Sequence, residues 1–477
     1  YNKTNGQNVK RISDLKFWAN AGLVLASSDI VSDPRIVYDP TSQRWFASMV
    51  DADSSAADPT LESNDFLLAV SATSDPRGTW HGFLFEADPD TGTFADFPTL
   101  GVDANAVYLS GDMYQGMDNP LGPSLWSFPK ADLLMATPTI SNATFFGVMS
   151  YSQRGDVLQP VNCLDGSASG LVLATTDIGN DTDPHSNLVS FAVLNASQPG
   201  ASLTTPVFIP TAPWIVPYNS DLGVPQFAAR QPDATQTLQA NDARLGAKVY
   251  AVGGTLYAVN NTLLNNHIAI RWYRVRAADN TLLESGMIAD TNLDLYFPSI
   301  AANPYGVVVL SYQGSGLGTN GNIGCYAQAG QTVNGVTTFG SRLLLQASTS
   351  SYHDLYEQLS AAVTSRWGDY TTTSVDAANP NSFWTIQMYS SDGETWTTQI
   401  TQLITTPQPV LGIQKAGTNV LLSWQAGATG YQLQSATNFH SPVAWTNVTQ
   451  LQFTNGNQLS VTVPISGNAK YFRLQHP

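Results

Sequence analysis

The chain holds 477 residues, more than one ordinary compact core takes up, which calls for a large closed architecture with a smaller appendage. Charged residues make up only 12% of it, and 20 Lys plus Arg against 36 Asp plus Glu leave a formal charge of -16, which argues against nucleic acid or an anionic membrane surface as partner. No run of 18 apolar residues occurs, so no segment reads as inserting into a membrane as a helix.

In chain order, the opening YNKTNGQNVK lacks the basic start and apolar core of a secretory signal, which suits either a cytoplasmic chain or a secreted one already processed, and the second is the expectation here. A surface rich in Ser, Thr, Asn and Gln and poor in charge fits the same secreted or cell-surface location. Residues 11–22, RISDLKFWANAG, read as a strand without a partner of its own. Six copies of one pattern follow, each a short apolar strand, an Asp or Asn with turn residues, and a second strand. They are DPRIVYDPTSQRWFASMVD (33–51), DFPTLGVDANAVYLSGD (96–112), QPVNCLDGSASGLVLATTD (159–177), DARLGAKVYAVGGTLYAVNN (242–261), FPSIAANPYGVVVLSYQ (297–313) and DYTTTSVDAANPNSFWTIQMYS (369–390). Their starts lie 63, 63, 83, 55 and 72 residues apart, the size of a four-stranded unit. Repeats of this kind predict an all-β, six-bladed β-propeller over residues 1–405, each hairpin forming the inner half of a blade. The sixth copy runs out one strand short, so the 11–22 segment is expected to complete it and close the ring.

HDLYEQLSAA (353–362) is the one stretch with helical spacing. Past TTPQP the pattern changes to VLGIQ, NVLLSW, GYQLQSA, AWTNV, LSVTV and KYFRLQ, which predicts a small β-sandwich over 406–477 with Trp424 as its core anchor. Cys163 and Cys325 are too few for a disulfide framework or a zinc site and read as small buried hydrophobes.

DPR followed by RW, SATSDPRGTW, DFPTLGVD, NDARLGAKVY, FPSIAANPYG and RWGDYTTTSVD together resemble a group of secreted bacterial propellers of sialidase-like six-bladed architecture, over residues 10–405. The tail resembles a fibronectin-III-like module, a type that commonly serves as spacer or surface anchor. SSDGETW (390–396) and TSDPRGTW (73–80) are degenerate versions of the Asp-box turn of sialidases, a structural element that reports fold and not chemistry. The resemblance implies an arginine clamp for an anionic group, with Arg35, Arg244 and Arg366 at inner-strand starts and Tyr370 beside one of them. No residue matches the family's nucleophile-assisting Glu, because Glu284 and Glu357 fall in an outer strand and a loop.

In a propeller, the loops entering the inner strands converge on one axial face, the default site. Asp33, Arg35, Asp96, Asp242, Arg244, Asp294, Tyr296, Arg366, Asp369 and Tyr370 belong there by this logic. Asp96, Asp242 and Asp369 are candidate acids and bases for glycoside hydrolysis. Tyr370 and His353 are candidate proton-abstracting bases for lyase chemistry, with the arginines binding the substrate. Alternatively, these groups pair with one another and tie the blades together.

The six histidines show no metal-ligand spacing. Two Asp-rich loops, 51–60 and 177–185, read either as calcium sites or as solvated turns. Within the long insertion at 210–241, Trp214, Tyr218 and Phe227 either stack on sugar rings or pin the loop to the rim. The function expected is action on, or binding of, an extracellular polysaccharide or cell-surface glycan through the axial face, with a structural role in a surface layer as the third class.

Overall fold

The computed structural model describes residues 1–117, 119–176, 184–217, 228–233, 236–354, 364–406, 409–428, 430–438, 443–467 and 469–475. Six antiparallel sheets follow one another along the chain. Blade one is Asp29–Asp39, Arg44–Asp53, Asp65–Ser71 and Trp80–Glu86, and blade two is Phe94–Val102, Ala106–Tyr114, Pro120–Pro129 and Thr144–Val148. Blade three is Asp156–Pro160, Leu171–Thr175, His185–Leu194 and Val207–Trp214. Blade four is Tyr250–Val252, Thr255–Leu264, His267–Arg276 and Leu282–Ile288, and blade five is built on Asp294–Ala302, Val307–Ser315, Gly324–Val333 and Leu343–Ala347. Blade six has three strands among the described residues, Thr372–Asp376, Asn379–Ser390 and Trp396–Ile404. The chain is an all-β, six-bladed propeller followed by a small β-sandwich.

The core lies between the blades. Phe46, Phe66, Leu100, Leu109 and Phe128 fill the space between blades one and two, and Leu173, Ile209, Leu245, Leu256 and Tyr273 that between blades three and four. Alternate strand residues face opposite sides of a sheet, so blades covered on both faces need apolar residues in near-continuous runs. That is the pattern of AVYLSGDMY and VVVLSYQGS, where nearly every position is buried.

A shared kink marks the inner strands. Asp33, Phe97, Val157 and Phe297 all have positive φ, between 45 and 60°, within the first half of the inner strands of blades one, two, three and five, and Asn241 has a φ in the same range in the segment that leads to the inner strand of blade four. In blades one, two and five the ladder register shifts there, as in a β-bulge. Such a bulge re-aims the side chains at the end of a strand, here toward the axis. Just inside it, side chains latch neighbouring blades. Arg35 Nε donates to the Pro98 carbonyl at 2.7 Å, Thr99 Oγ1 to Leu158 at 2.6 Å and Gln159 Nε2 to Leu245 at 2.5 Å. Between blades five and six, Thr371 Oγ1 donates to Phe297 at 2.7 Å.

The strand expected at residues 11–22 is not formed. Asp14–Asn20 is a helix, N-capped by Ser13, whose Oγ accepts the Lys16 N–H. Its Trp18 is fully buried against Met49, Phe17 packs edge-on against Trp80, and Ala21 O accepts the Gly82 N–H. The segment therefore covers the outer strands of blade one instead of completing blade six. Blades six and one meet through side chains instead. The Tyr370 hydroxyl donates to Asp33, the Arg35 guanidinium lies 3.8 Å from the Tyr370 ring centre, and Lys3 pairs with Asp376 at 2.7 Å.

Blade four also departs from the expected hairpin. Its inner strand is confined to Tyr250–Val252, although Ala243, Leu245, Ala247 and Val249 alternate inward before it. In the sandwich, one sheet runs Gly412–Ala416, Asn419–Gln425, Gln458–Pro464, Gln452–Asn455, and the other Thr446–Asn447, Gln432–Ala436, Tyr471–Gln475. Trp424 is buried between them with Leu422, Leu433, Val461 and Val463. HDLYEQLSAA, apart from His353 and Asp354, lies outside the described residues.

Candidate active site at the axial mouth

The kinked strand starts gather three layers of groups at one end of the axis. The outermost is Arg366, its side chain 51% exposed, which forks onto Asp369 at 3.0 and 2.5 Å. Asn241 Nδ2 adds a 3.2 Å bond to the same carboxylate. Burial holds Asp369 above the ordinary carboxylate range, opposed mainly by Arg366.

The second layer is a stack of cations on rings. Phe97 and Tyr370 sit with ring centres 4.7 Å apart, Arg35 lies over both, and Arg244 lies 4.7 Å from the Phe97 centre. Burial raises Asp33 to about 6, tempered by the hydrogen bond from Tyr370. Burial, together with Asp33 and Asp369, holds the Tyr370 phenol far above its usual range despite Arg35. Tyr370 is thus kept protonated as a donor to Asp33, the opposite of what a proton-abstracting base needs.

The third layer is the deepest. Arg244 is bound bidentately by Asp242, with Nε at 2.8 and 2.9 Å and Nη2 at 2.5 Å from the carboxylate oxygens. Beside it, Asp96 and Asp112 stand directly opposite each other in the antiparallel ladder of blade two. Opposed residues of such a ladder have Cβ atoms about 4.5–5.5 Å apart, so the two carboxyl groups share one small volume. Asp96 is half-buried, accepts the Phe97 N–H at 2.8 Å, and forms no ion pair. Asp112 is 2% exposed and its Oδ1 has no hydrogen-bond partner. Burial raises Asp112 to about 7, Asp96 and Asp242 add to the rise, and Arg244 opposes it. Burial, then Asp112, also pushes Tyr114 and Tyr151 well up, which places both phenols beside the pair.

The structure thus brings Arg35, Asp96, Asp242, Arg244, Arg366, Asp369 and Tyr370 together at the mouth, most of them bonded to one another. It places four other expected residues elsewhere. Asp294 is buried in a bidentate pair with Arg230 at 2.8 Å, and Tyr296 is a core residue bonded to Ser315 at 3.0 Å. His353 is held 2.6 Å from Asp233 and 3.1 Å from Gln236, which also accepts the Ser365 hydroxyl. Trp214 is no sugar platform, because it is 1% exposed, stacked on His185 at 4.5 Å and packed with Val216 and Ala243. Tyr218, Phe227 and Glu357 lie outside the described residues.

In the 51–60 loop the carboxylates are turn formers. Asp53 accepts from Ser55 and Asp58 from Thr60, while Asp51 is bonded to the Asp65 N–H. Residues 177–183 of the second Asp-rich loop lie outside the described residues. Among the described residues no three His, Cys, Asp or Glu side chains converge as a metal site. Both cysteines are free and buried.

Sequence reasoning missed Asp112, Tyr114, Tyr151 and Asp156. Asp112 had a signal, a carboxylate at a buried position of an otherwise apolar strand. Asp156 went unseen because the third copy aligns at QPVN, two residues past the kink at Val157 that matches Asp33 of SDPR and Phe97 of DFPT. A further concavity of about 500 Å³, lined by Lys10, Phe17, Arg77 and Trp80 among others, lies beneath the amino-terminal segment and not at the mouth.

No protein family matches the chain, and no curated protein matches it. Among solved structures, a protein of unknown function from Dyadobacter fermentans DSM 18053 aligns over 92% of this chain and 96% of its own, at 11% identity and a TM-score of 0.38. A Trypanosoma rangeli sialidase in complex with sialic acid aligns over 91% of this chain at 11% identity and a TM-score of 0.36, and this chain spans about half of it, 54%. A Penicillium chrysogenum α-L-arabinanase complexed with arabinobiose aligns over 83% of this chain and 88% of its own, at 10% identity and a TM-score of 0.31. Likeness this distant says nothing of the chemistry of the mouth.

Proposed function

We propose that this is a secreted or cell-surface carbohydrate-active protein whose axial mouth binds a glycan and hydrolyses it. The observation that carries the reading is the Asp96–Asp112 pair. Of the acids expected at the mouth, Asp242 and Asp369 are consumed by arginines, whereas Asp96 keeps a carboxylate free of ion pairing. Two carboxyl groups in one site, one held protonated near neutrality, are the elements of acid–base catalysis at a glycosidic bond. Asp96 is the group able to touch substrate. Asp112, beneath it, is a positioning residue that sets the proton affinity of the pair.

Lyase chemistry is disfavoured by the protonated state of Tyr370 and by the engagement of both His353 ring nitrogens, with Asp233 and Gln236. A second reading, glycan binding without turnover, is favoured by the self-paired arginines, which act as ties between strand starts. The deciding experiment follows release of reducing ends from a panel of neutral, acidic and amino polysaccharides, with absorbance of unsaturated products recorded alongside. Hydrolysis abolished in Asp96→Asn, with the pH optimum moved in Asp112→Asn, supports the hydrolase. Retention on an insoluble glycan without product supports binding alone. No product and no retention on any glycan overturns the carbohydrate reading.

A further inference from the structure

The resemblance noted from sequence implied an arginine clamp for an acidic sugar, but the charges at the mouth are arranged the other way. Arg244 is neutralised by Asp242 and Arg366 by Asp369, both through paired hydrogen bonds of 3.0 Å or less. Arg35 has no carboxylate partner, yet it is 7% exposed and covered by the rings of Tyr370 and Phe97, so a ligand cannot reach it without displacing them. What is left in surplus is negative. Asp33 accepts the Tyr370 hydroxyl and feels Arg35, Asp96 accepts the Phe97 N–H, and one oxygen of Asp112, Oδ1, is buried without a hydrogen-bond partner. An incoming carboxylate would find the arginines already paired or covered and would meet Asp96, which has no ion-pair partner among the described residues, in a partly desolvated mouth where like charges repel most strongly.

We infer that the mouth takes a glycan bearing ammonium groups, an amino sugar with its amine free, and that Asp96, backed by the buried Asp112 with its unpartnered Oδ1, receives that ammonium. This rests on the carbohydrate reading above and names its substrate class. An organic ammonium fits better than a metal ion, because it needs one or two acceptors and not three or more converging ligands, a set absent among the described residues. The raised proton affinities of Asp33 and Asp112 agree with the assignment, since a carboxyl short of counter-charge takes a proton until a cation replaces it. Arg244, Asp96, Asp242, Tyr114 and Tyr151 are the charged and titratable groups that face Asp112.

The test is calorimetric binding at pH 6.0 of three oligosaccharides of equal length, a β-1,4 glucosamine oligomer, its N-acetylated counterpart and a galacturonate oligomer. The expected result is that the glucosamine oligomer binds about tenfold more tightly than the acetylated one, with the galacturonate oligomer weakest. In Asp96→Asn and Asp112→Asn that preference should fall below threefold. Tighter binding of the acetylated or galacturonate oligomer overturns the ammonium assignment while leaving a glycan site in place. A glucosamine preference unchanged in both variants also overturns it, since attraction to the acidic surface as a whole would then be responsible. Failure of all three to bind overturns this inference together with the reading beneath it.

Discussion

Replacing Asp112 with Asn tests the physical basis of the site without any knowledge of its ligand. The side chain is 2% exposed, and its proton affinity is raised from 3.8 to about 7. In the unfolded chain an aspartate ionises near the lower value, so between the two values the native state holds a proton that the unfolded state has lost. Stability therefore falls as pH rises from about 4 to about 7 and stays reduced above that. At 1.36 kcal/mol per pH unit, the gap corresponds to about 4 kcal/mol as an upper bound. Asparagine keeps the shape and cannot ionise, so the variant escapes this cost. Its melting temperature relative to wild type should climb between pH 4.5 and pH 8.5 by several degrees, at roughly 1–2 °C per kcal/mol for a chain this large. Thermal scans of both proteins across that range decide the matter. A difference that does not change with pH, or one that turns against the variant as pH rises, would show that Asp112 has a counter-charge after all and would sink both its buried-acid role and the surplus-charge argument.

Two further outcomes follow from the same geometry. Trp214→Ala should cost about 3–5 kcal/mol, because it empties a packed position between His185 and Ala243, and glycan binding by the folded fraction should match wild type; lost binding without lost stability would restore Trp214 as a stacking platform. Arg244→Ala strands the buried Asp242 and should cost about 3–5 kcal/mol, whereas Arg366→Ala removes an exposed partner and should cost at most about 1 kcal/mol; equal losses in denaturant titrations would refute the layered order of the mouth.

The sequence made the propeller legible because every blade repeats one local device, an apolar strand, a turn built on Asp or Asn and a second strand, and local devices survive in one dimension. RWGDY was legible as an axial element for the same reason, with Arg366, Asp369 and Tyr370 meeting the mouth and Trp367 buried against Gln313. What the sequence did not disclose was pairing. Nothing in the spacing of Asp242 and Arg244 distinguishes two groups facing a ligand from two groups facing each other, because that depends on side-chain directions set by the kinked strand starts. The amino-terminal helix was misread for a different reason: DLKFWAN carries a capping Ser13 and a buried Trp18, but the missing fourth strand of blade six drew the segment into the wrong role. Trp214 belongs to a proline-flanked stretch that looks like a loop and instead ends a strand, with its own side chain buried where the chain bonds to blade four.

One lysine ties blades that are not neighbours in the ring. Blades one and four stand opposite each other in a ring of six, and Lys248 of blade four reaches across to donate its ammonium hydrogen to the Ile36 carbonyl of blade one. Burial, with Arg35 adding to it, lowers this lysine to about 7, as expected for a cation taken out of bulk water. The bridge joins two blades that are not neighbours in the ring, so a chain passing between them along the axis would have to break it. A glycan bound at the mouth as proposed above would have to displace that lysine to pass on, and one that leaves it in place departs by the way it came.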